Sequence, residues 1–409
     1  MGVETVKTGS FSWPVWWQQV SLADAGRWMS GGTPSTSNEA YWDGDIPWIS
    51  GASMKRFRIT DSERRVTRLG AENGSRLVDK GAVLFIVRGM SLKSEFRIGV
   101  TQREVAFGQD CKALVPDDGI DPYYLAHAMR VLTPTILSLV EETSHGTGRL
   151  DTNRLSALDI GVPPLSEQRD IVAAHEAFER RIGALERMLA KVEIAESALS
   201  AHALGQVGTA GPRLDSVATV AAGVTLGSEF VGDGTIELPY LRVANVLDGR
   251  IDTTDVKTVR IVKTQYERYA LRKGDLLLTE GGDLDKLGRG AVWDGRIDEC
   301  LHQNHVFRVR CGEQMLPDFL ALYAASPEGR AYFQRVGKQT TNLASINSTQ
   351  VKQMPVPVPP VEEQRRLLGP VHAARERAAV LQQQIAKLRT IQQGVIEDLL
   401  SGRSRVNRT

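Results

Sequence analysis

Val162-Pro163-Pro164-Leu165-Ser166-Glu167-Gln168-Arg169 occurs in the first half of the chain and returns as Val358-Pro359-Pro360-Val361-Glu362-Glu363-Gln364-Arg365. Working outward from it, Pro122-x-x-Leu125 matches Pro317-x-x-Leu320, Gln109 matches Gln303, and Lys80-Gly81 matches Lys273-Gly274. Asp45-Ile46-Pro47-Trp48-Ile49-Ser50 likewise matches Glu237-Leu238-Pro239-Tyr240-Leu241-Arg242. The offset drifts only from 192 residues (45 to 237) to 196 (162 to 358), so one ancestral unit is used twice with small loop changes. Two copies are too few for a solenoid, whose units are shorter and stack in series. A duplication of this size is a device for doing the same thing at two places.

Each octapeptide opens a heptad pattern. In the first copy the seam runs Ile171, His175, Phe178, Ile182, Leu185, Leu189, Val192, Glu196, Leu199 and Ala203. In the second it runs Leu367, Val371, Ala374, Ala378, Leu381, Ile385, Leu388, Gln392, Val395 and Leu399. An a/d seam over about five heptads is the signature of coiled-coil packing, and the simplest partner for one helix is the other. About 37 residues at about 1.5 Å each make a rod on the order of 55 Å. Ile182, Leu185, Leu189, Val192, Leu381, Ile385 and Leu388 are the expected pairing residues of an antiparallel coiled coil. Glu196 and Gln392 occupy the same step of the seam, where a buried polar residue fixes register; a solvent-exposed seam end is the alternative.

The segments before the octapeptides are mixed. Ala82–Val87 and Asp275–Leu278 are apolar runs beside glycines and read as strands. Pro122 and Pro317 open stretches that read as helices. Strands and helices do not alternate regularly, so the expected class is α+β: two globular α/β domains joined by two long pairing helices, with a pseudo-two-fold internal repeat. The boundaries are 1–163 for the first domain, 164–207 for the first helix, 208–358 for the second domain, and 359–409 for the second helix and tail.

Bulk composition sets limits. The 409 residues, 42% hydrophobic and 24% charged, suit two to three globular domains. No apolar run approaches the roughly 20 residues of a membrane span and no leader pattern opens the chain, so the expected compartment is the cytoplasm. Cys111, Cys300 and Cys311 are too few for a disulfide framework. A net charge of +1 does not advertise a nucleic-acid partner. Locally, however, the stretch from Lys55 to Arg68 holds six basic residues against two acidic ones, a phosphate-binding face or a solvated surface.

Taken together and in order, these motifs resemble the specificity subunit of type I restriction-modification systems. Ser30-Gly31-Gly32-Thr33-Pro34-Ser35, the Tyr41–Trp48 run, Glu280–Gly290 and Gln303–Arg308 carry the resemblance further, over essentially the whole chain. It implies two target recognition domains, each reading one half of a bipartite double-stranded DNA sequence, with the helices setting the gap between halves. Two readers on a rod suit half-sites about one helical turn, roughly 34 Å, or a multiple apart. It also implies two adenine methyltransferase subunits docked on the helices and a restriction/translocase subunit. S-adenosylmethionine, ATP and Mg are expected on those partners and none on this chain.

Base-reading residues do not transfer within such a family, so the candidates follow from chemistry. Arg and Lys suit guanine; Asn and Gln suit adenine. Arg88, Lys93, Arg97 and Gln109 are the candidates in the first domain, and Lys286, Arg289, Gln303, Asn304 and His305 in the second. Lys55, Arg56 and Arg58 suit phosphate rather than bases. Trp48 and Tyr240 read as core aromatics rather than stacking platforms. Gly146-Thr147-Gly148-Arg149 and Lys338–Asn342 suit either phosphate contact or plain turns.

Catalytic readings are weaker. Cys300-x-His302-x-x-His305-x5-Cys311 has zinc-capable residue types but no standard spacing, so strand-end hydrogen bonding is the expectation. Gly281-Gly282-Asp283 lacks the Gly-Lys-Ser/Thr of a phosphate-binding loop. Glu280, Asp283 and Lys286 suit a metal-dependent nuclease, but the first half has no matching set. The Asn-Pro-Pro-aromatic segment with which adenine methyltransferases of the resembled systems hold a flipped base is absent, so the expected chain is non-catalytic.

Overall fold

The computed structural model describes residues 4–144, 146–208, 211–225, 234–282, 286–339 and 344–405. The apolar run at Ala82–Val87 forms a strand over Val83–Ile86 with all four residues buried. Its counterpart, Leu276–Thr279, is buried in the same way. Such continuous burial marks a strand covered on both faces. The glycine before each, Gly81 and Gly274, has φ +94°, a backbone region that glycine enters without a Cβ penalty. That explains why Lys-Gly recurs in both copies.

The chain divides into two units, residues 1–186 with 383–409 and residues 187–382. In the first, a five-stranded sheet runs in the order Gly26–Ser30, Cys111–Pro116, Val83–Ile86, Ile98–Thr101, Arg58–Ile59. A four-stranded sheet is built around Trp42–Ile49 and Val105–Phe107. A third, small sheet pairs Arg88–Gly89, Gly148–Leu150 and Val140–Glu142. The helix expected at Pro122 spans Pro122–Val131, and the Asp121 side chain accepts from the Tyr123 and Tyr124 amides at its N-terminus. It buries Tyr124, Leu125, Ala126, Ala128 and Met129 in the core that also holds the central strand.

The second unit repeats the plan. Ala218–Ala222, Val306–Cys311, Leu276–Thr279 and Gly290–Val292 form its main sheet, and Lys257–Val262, Thr235–Leu241 and Leu301–His302 the second. Gly281–Gly282, Ala344–Ser345 and Lys338–Gln339 form the small third. The Pro-opened helix is Pro317–Ala325. Trp48 and Tyr240 are both buried, at 6% and 5% exposure, as core aromatics should be.

The long helices span Leu165–Gly205 and Val361–Leu400, slightly longer than the seam alone indicates. Within the first unit, Gln392 donates to Glu179 at 2.7 Å and Arg389 pairs with Glu186 at 2.6 Å. Numbering falls along one helix as it rises along the other, so the pairing is antiparallel. Ile182 and Ile385 are buried there, with Leu185 and Leu388 half-buried. Within the second unit, Arg375 pairs with Glu196 at 2.9 Å and Arg366 meets Gln206 at 3.1 Å, in the same antiparallel sense. Leu381 is buried there, and Leu189 and Val192 are half-buried. Both polar seam residues are thus engaged, and Gln392 is 9% exposed, so it is not a solvated seam end.

The octapeptide glutamine joins each helix to its globular part. Gln168 is fully buried; its Oε1 accepts from the Asp121 amide, and its Nε2 donates to the Gly119 and Pro163 carbonyls, all at 2.8 Å. Gln364 is fully buried as well, accepting from the Leu316 amide and donating to the Gln314 and Pro359 carbonyls, again all at 2.8 Å. Each amide side chain satisfies three backbone groups next to the Pro-opened helix.

Candidate nucleic-acid interface

In the first unit, the small three-stranded sheet borders an open cavity of about 470 Å³. Its walls include Arg88 and Gln109 from the sequence candidates, joined by Lys112, Glu141, Arg149 and Asn153. The strand Gly148–Leu150 alternates buried, exposed, buried, which turns Arg149 outward. Arg149 lies opposite Arg88 on one neighbouring strand and opposite Glu141 on the other. Directly opposed residues project from the same face with Cβ atoms about 5 Å apart, where like charges repel. Among the described residues neither arginine has an ion-pair partner, so the face carries unspent donors. Lys112 reaches Ser30 Oγ at 2.9 Å.

The remaining candidates of this unit do not line the cavity. Lys93 pairs with Glu142 at 2.8 Å, on the outer strand of the same small sheet. Arg97 is tied to Glu95 at 2.8 Å and to the Gly51 carbonyl at 2.9 Å. Arg58 pairs with Glu176 of the long helix and lies over the Tyr123 ring at 4.7 Å. Lys55 faces Glu63 at 3.5 Å, Arg65 faces Asp61 at 2.7 Å and Arg68 faces Glu104 at 2.8 Å. The basic stretch is therefore largely neutralised, and Arg56 is an exposed exception. Arg64, not singled out by the sequence, stacks its guanidinium 4.0 Å from the Trp42 ring centre and 5.0 Å from that of Trp48.

In the second unit the corresponding sheet places Gly281, Ser345 and Lys338 at the three positions held by Arg88, Arg149 and Glu141. His305 meets the Glu280 carboxylate, and the Glu280 amide donates to the His305 carbonyl at 2.9 Å. Gln303 and Asn304 are half-buried on the turn before the Val306–Cys311 strand, with amides donating to Leu241 and Val224 at 2.9 Å each. Lys286 is exposed. Arg289 lines a separate small cleft with Asp248 and Arg330, which pair with each other. Asp283 and Thr340–Asn342 lie outside the described residues.

The zinc-capable cluster has other engagements. Nδ1–H of His302 donates to the Val306 carbonyl at 2.7 Å, and burial drives this imidazole down to about 4. The Cys300 thiol faces the Leu301 carbonyl at 3.5 Å, and burial pushes it up to about 12. Both groups serve the strand end as local hydrogen-bonding partners.

Glu141 and Asn153 escaped the sequence reading because both lie far in sequence from Arg88 and Gln109 and only the fold brings them to one rim. Lys112, three residues after Gln109, reaches the rim from the strand Cys111–Pro116.

The chain is thus two copies of one frame that differ in the side chains on their small sheets. The type I restriction modification DNA specificity domain matches residues 14–194 and again 212–388, and the chain belongs to this family. It is 28% identical over 175 residues to the EcoR124I/EcoR124II specificity subunit of Escherichia coli, a match covering 42% of each chain. It is 21% identical over 347 residues to the EcoKI specificity subunit of Escherichia coli K12, covering 78% of this chain and 74% of that one. The first match thus spans less than half the length of that relative. In fold, it is similar to a solved chain described under complex assembly and conformational transition of the type I R-M system, with TM-score 0.61, 18% identity and coverage of 96% and 100%. It is also similar to the type I restriction-modification S subunit from M. genitalium, with TM-score 0.55, 13% identity and coverage of 96% and 97%.

Proposed function

We propose that this chain reads a bipartite double-stranded DNA target, one half-site per copy of the specificity domain, and does so without catalysing a reaction itself. The observation that carries the reading is the family domain present twice in one chain, at residues 14–194 and 212–388. Adenine methylation, with S-adenosylmethionine, falls to two methyltransferase subunits, and restriction, with ATP and Mg, to a translocase subunit. The cytoplasm, where such partners and DNA meet, is the compartment this role requires. The balance of charge fits a shared grip: at net +1 the chain supplies few phosphate contacts of its own, and the partners supply the rest. Among the described residues no helix is long and apolar enough to cross a membrane.

Single-molecule sequencing for modified adenine tests this in cells expressing the chain with its neighbouring methyltransferase, against the methyltransferase alone. A bipartite motif appearing only with this chain is the expected result. An active methyltransferase in a soluble complex that yields no new motif would overturn the reading. Cleavage of DNA by the purified chain with Mg, abolished by Glu280→Gln, would replace it with the nuclease reading.

A further inference from the structure

The two units keep the same backbone where it serves folding and diverge where it faces outward. Gln168 and Gln364 make the same three hydrogen bonds. Gly89 and Gly282, at the same place in each small sheet, have φ +150° and +146°. The strand order of that sheet is also the same in both. Yet one face reads Arg88, Arg149, Glu141 in the first unit and Gly281, Ser345, Lys338 in the second. A constant frame with exchanged outward side chains is how one domain comes to read two different half-sites.

We propose that the three-stranded ribbon of the first unit is a major-groove reading head that recognises a G·C pair. Arg149 forks onto guanine, Glu141 accepts from the cytosine amino group, and Arg88 contacts the next step. This rests on the DNA-reading function proposed above. The major groove, about 12 Å wide, admits a β-ribbon, and guanine O6 and N7 match the two parallel donors of one guanidinium. Glu141, Arg149 and Arg88 are all exposed and stand side by side across three strands. The order acid, base, base matches the cytosine amino donor beside the guanine acceptors along the pair's groove edge. Arg88 and Arg149 oppose each other with no ion pair to either among the described residues, and an acceptor-rich edge relieves them. The second unit's ribbon has no arginine at these three positions, so guanine recognition by this route belongs to one half-site.

The test is the modification motif written by the full complex carrying Arg149→Gln, Arg149→Lys or Arg88→Gln. Arg149→Gln is expected to lower discrimination for guanine at one position of one half-site by about 5- to 150-fold, with the other half-site unchanged. Arg149→Lys keeps the charge but loses the fork, so it is expected to weaken the same position without changing the salt dependence of binding. Thermal unfolding is expected to match the parent because the side chains are exposed. An unchanged motif with weaker, less salt-dependent binding means a phosphate contact and overturns the proposal. An unchanged motif with unchanged affinity overturns it as well, as does a parent half-site without a G·C pair. A parent complex that writes no motif removes the DNA-reading function itself, a separate result.

Discussion

Replacing Gln168 with methionine keeps the length of the side chain and removes one acceptor and two donated hydrogen bonds. The Asp121 amide and the Gly119 and Pro163 carbonyls then lose the partner that now holds each at 2.8 Å. Gln168 is fully buried, so water does not replace it without rearrangement. With about 1 kcal/mol net per bond and a larger cost for any group left buried and unpaired, the expected loss is about 3 kcal/mol. In a unit of roughly 200 residues that lowers the midpoint by about 6 to 12 °C. Gln168→Glu is the sharper variant. It keeps the acceptor for Asp121 but points a carboxylate at two carbonyls, and it should cost at least as much near neutral pH. Calorimetry gives the size of the effect, and hydrogen exchange locates it at the Gly119–Pro122 and Pro163–Arg169 backbone. Gln364→Met makes the equivalent loss in the other unit, and the two changes should add within about 0.5 kcal/mol because they share no partner. A loss below about 0.5 kcal/mol for Gln168→Met, or a Gln168→Glu protein as stable as the parent at pH 7, would refute the clamp.

Arg97→Met, which removes the bonds to Glu95 and the Gly51 carbonyl, is expected to cost about 1 to 2 kcal/mol in urea unfolding while leaving the modification motif intact; a motif change would make Arg97 a reader instead. Acid is expected to weaken the first unit through His175. Burial lowers this group's folded value from 6.5 to about 4, so its contribution is complete above pH 6.5 and declines as pH falls toward 4, by about 3 kcal/mol over that span. His175→Gln should flatten this part of the pH–stability profile, and an unchanged slope in urea melts between pH 6.5 and 4 would count against it.

Much of this protein is legible in order of residues alone. The octapeptide and its drift fix the duplication, the four-three spacing from Ile171 and Leu367 fixes the paired helices, and the runs at Ala82 and Asp275 fix the central strands. These features are local or periodic, and periodicity is what a sequence displays directly. Lys-Gly at 80–81 and 273–274 is legible for the same reason, since both glycines hold φ +94°, a region that strongly favours glycine. The polar residues behaved differently. Arg58, Arg68 and Arg97 carry the same chemistry as Arg88, yet acids or a carbonyl from distant segments occupy them, while Arg65 is held by Asp61 four residues away. From sequence Arg149 belongs to a segment suited to either phosphate contact or a plain turn, and strand pairing sets it between Arg88 and Glu141. Residue type states what a guanidinium is able to bind. Only the long-range register, which no local pattern encodes, decides whether the protein itself has already bound it.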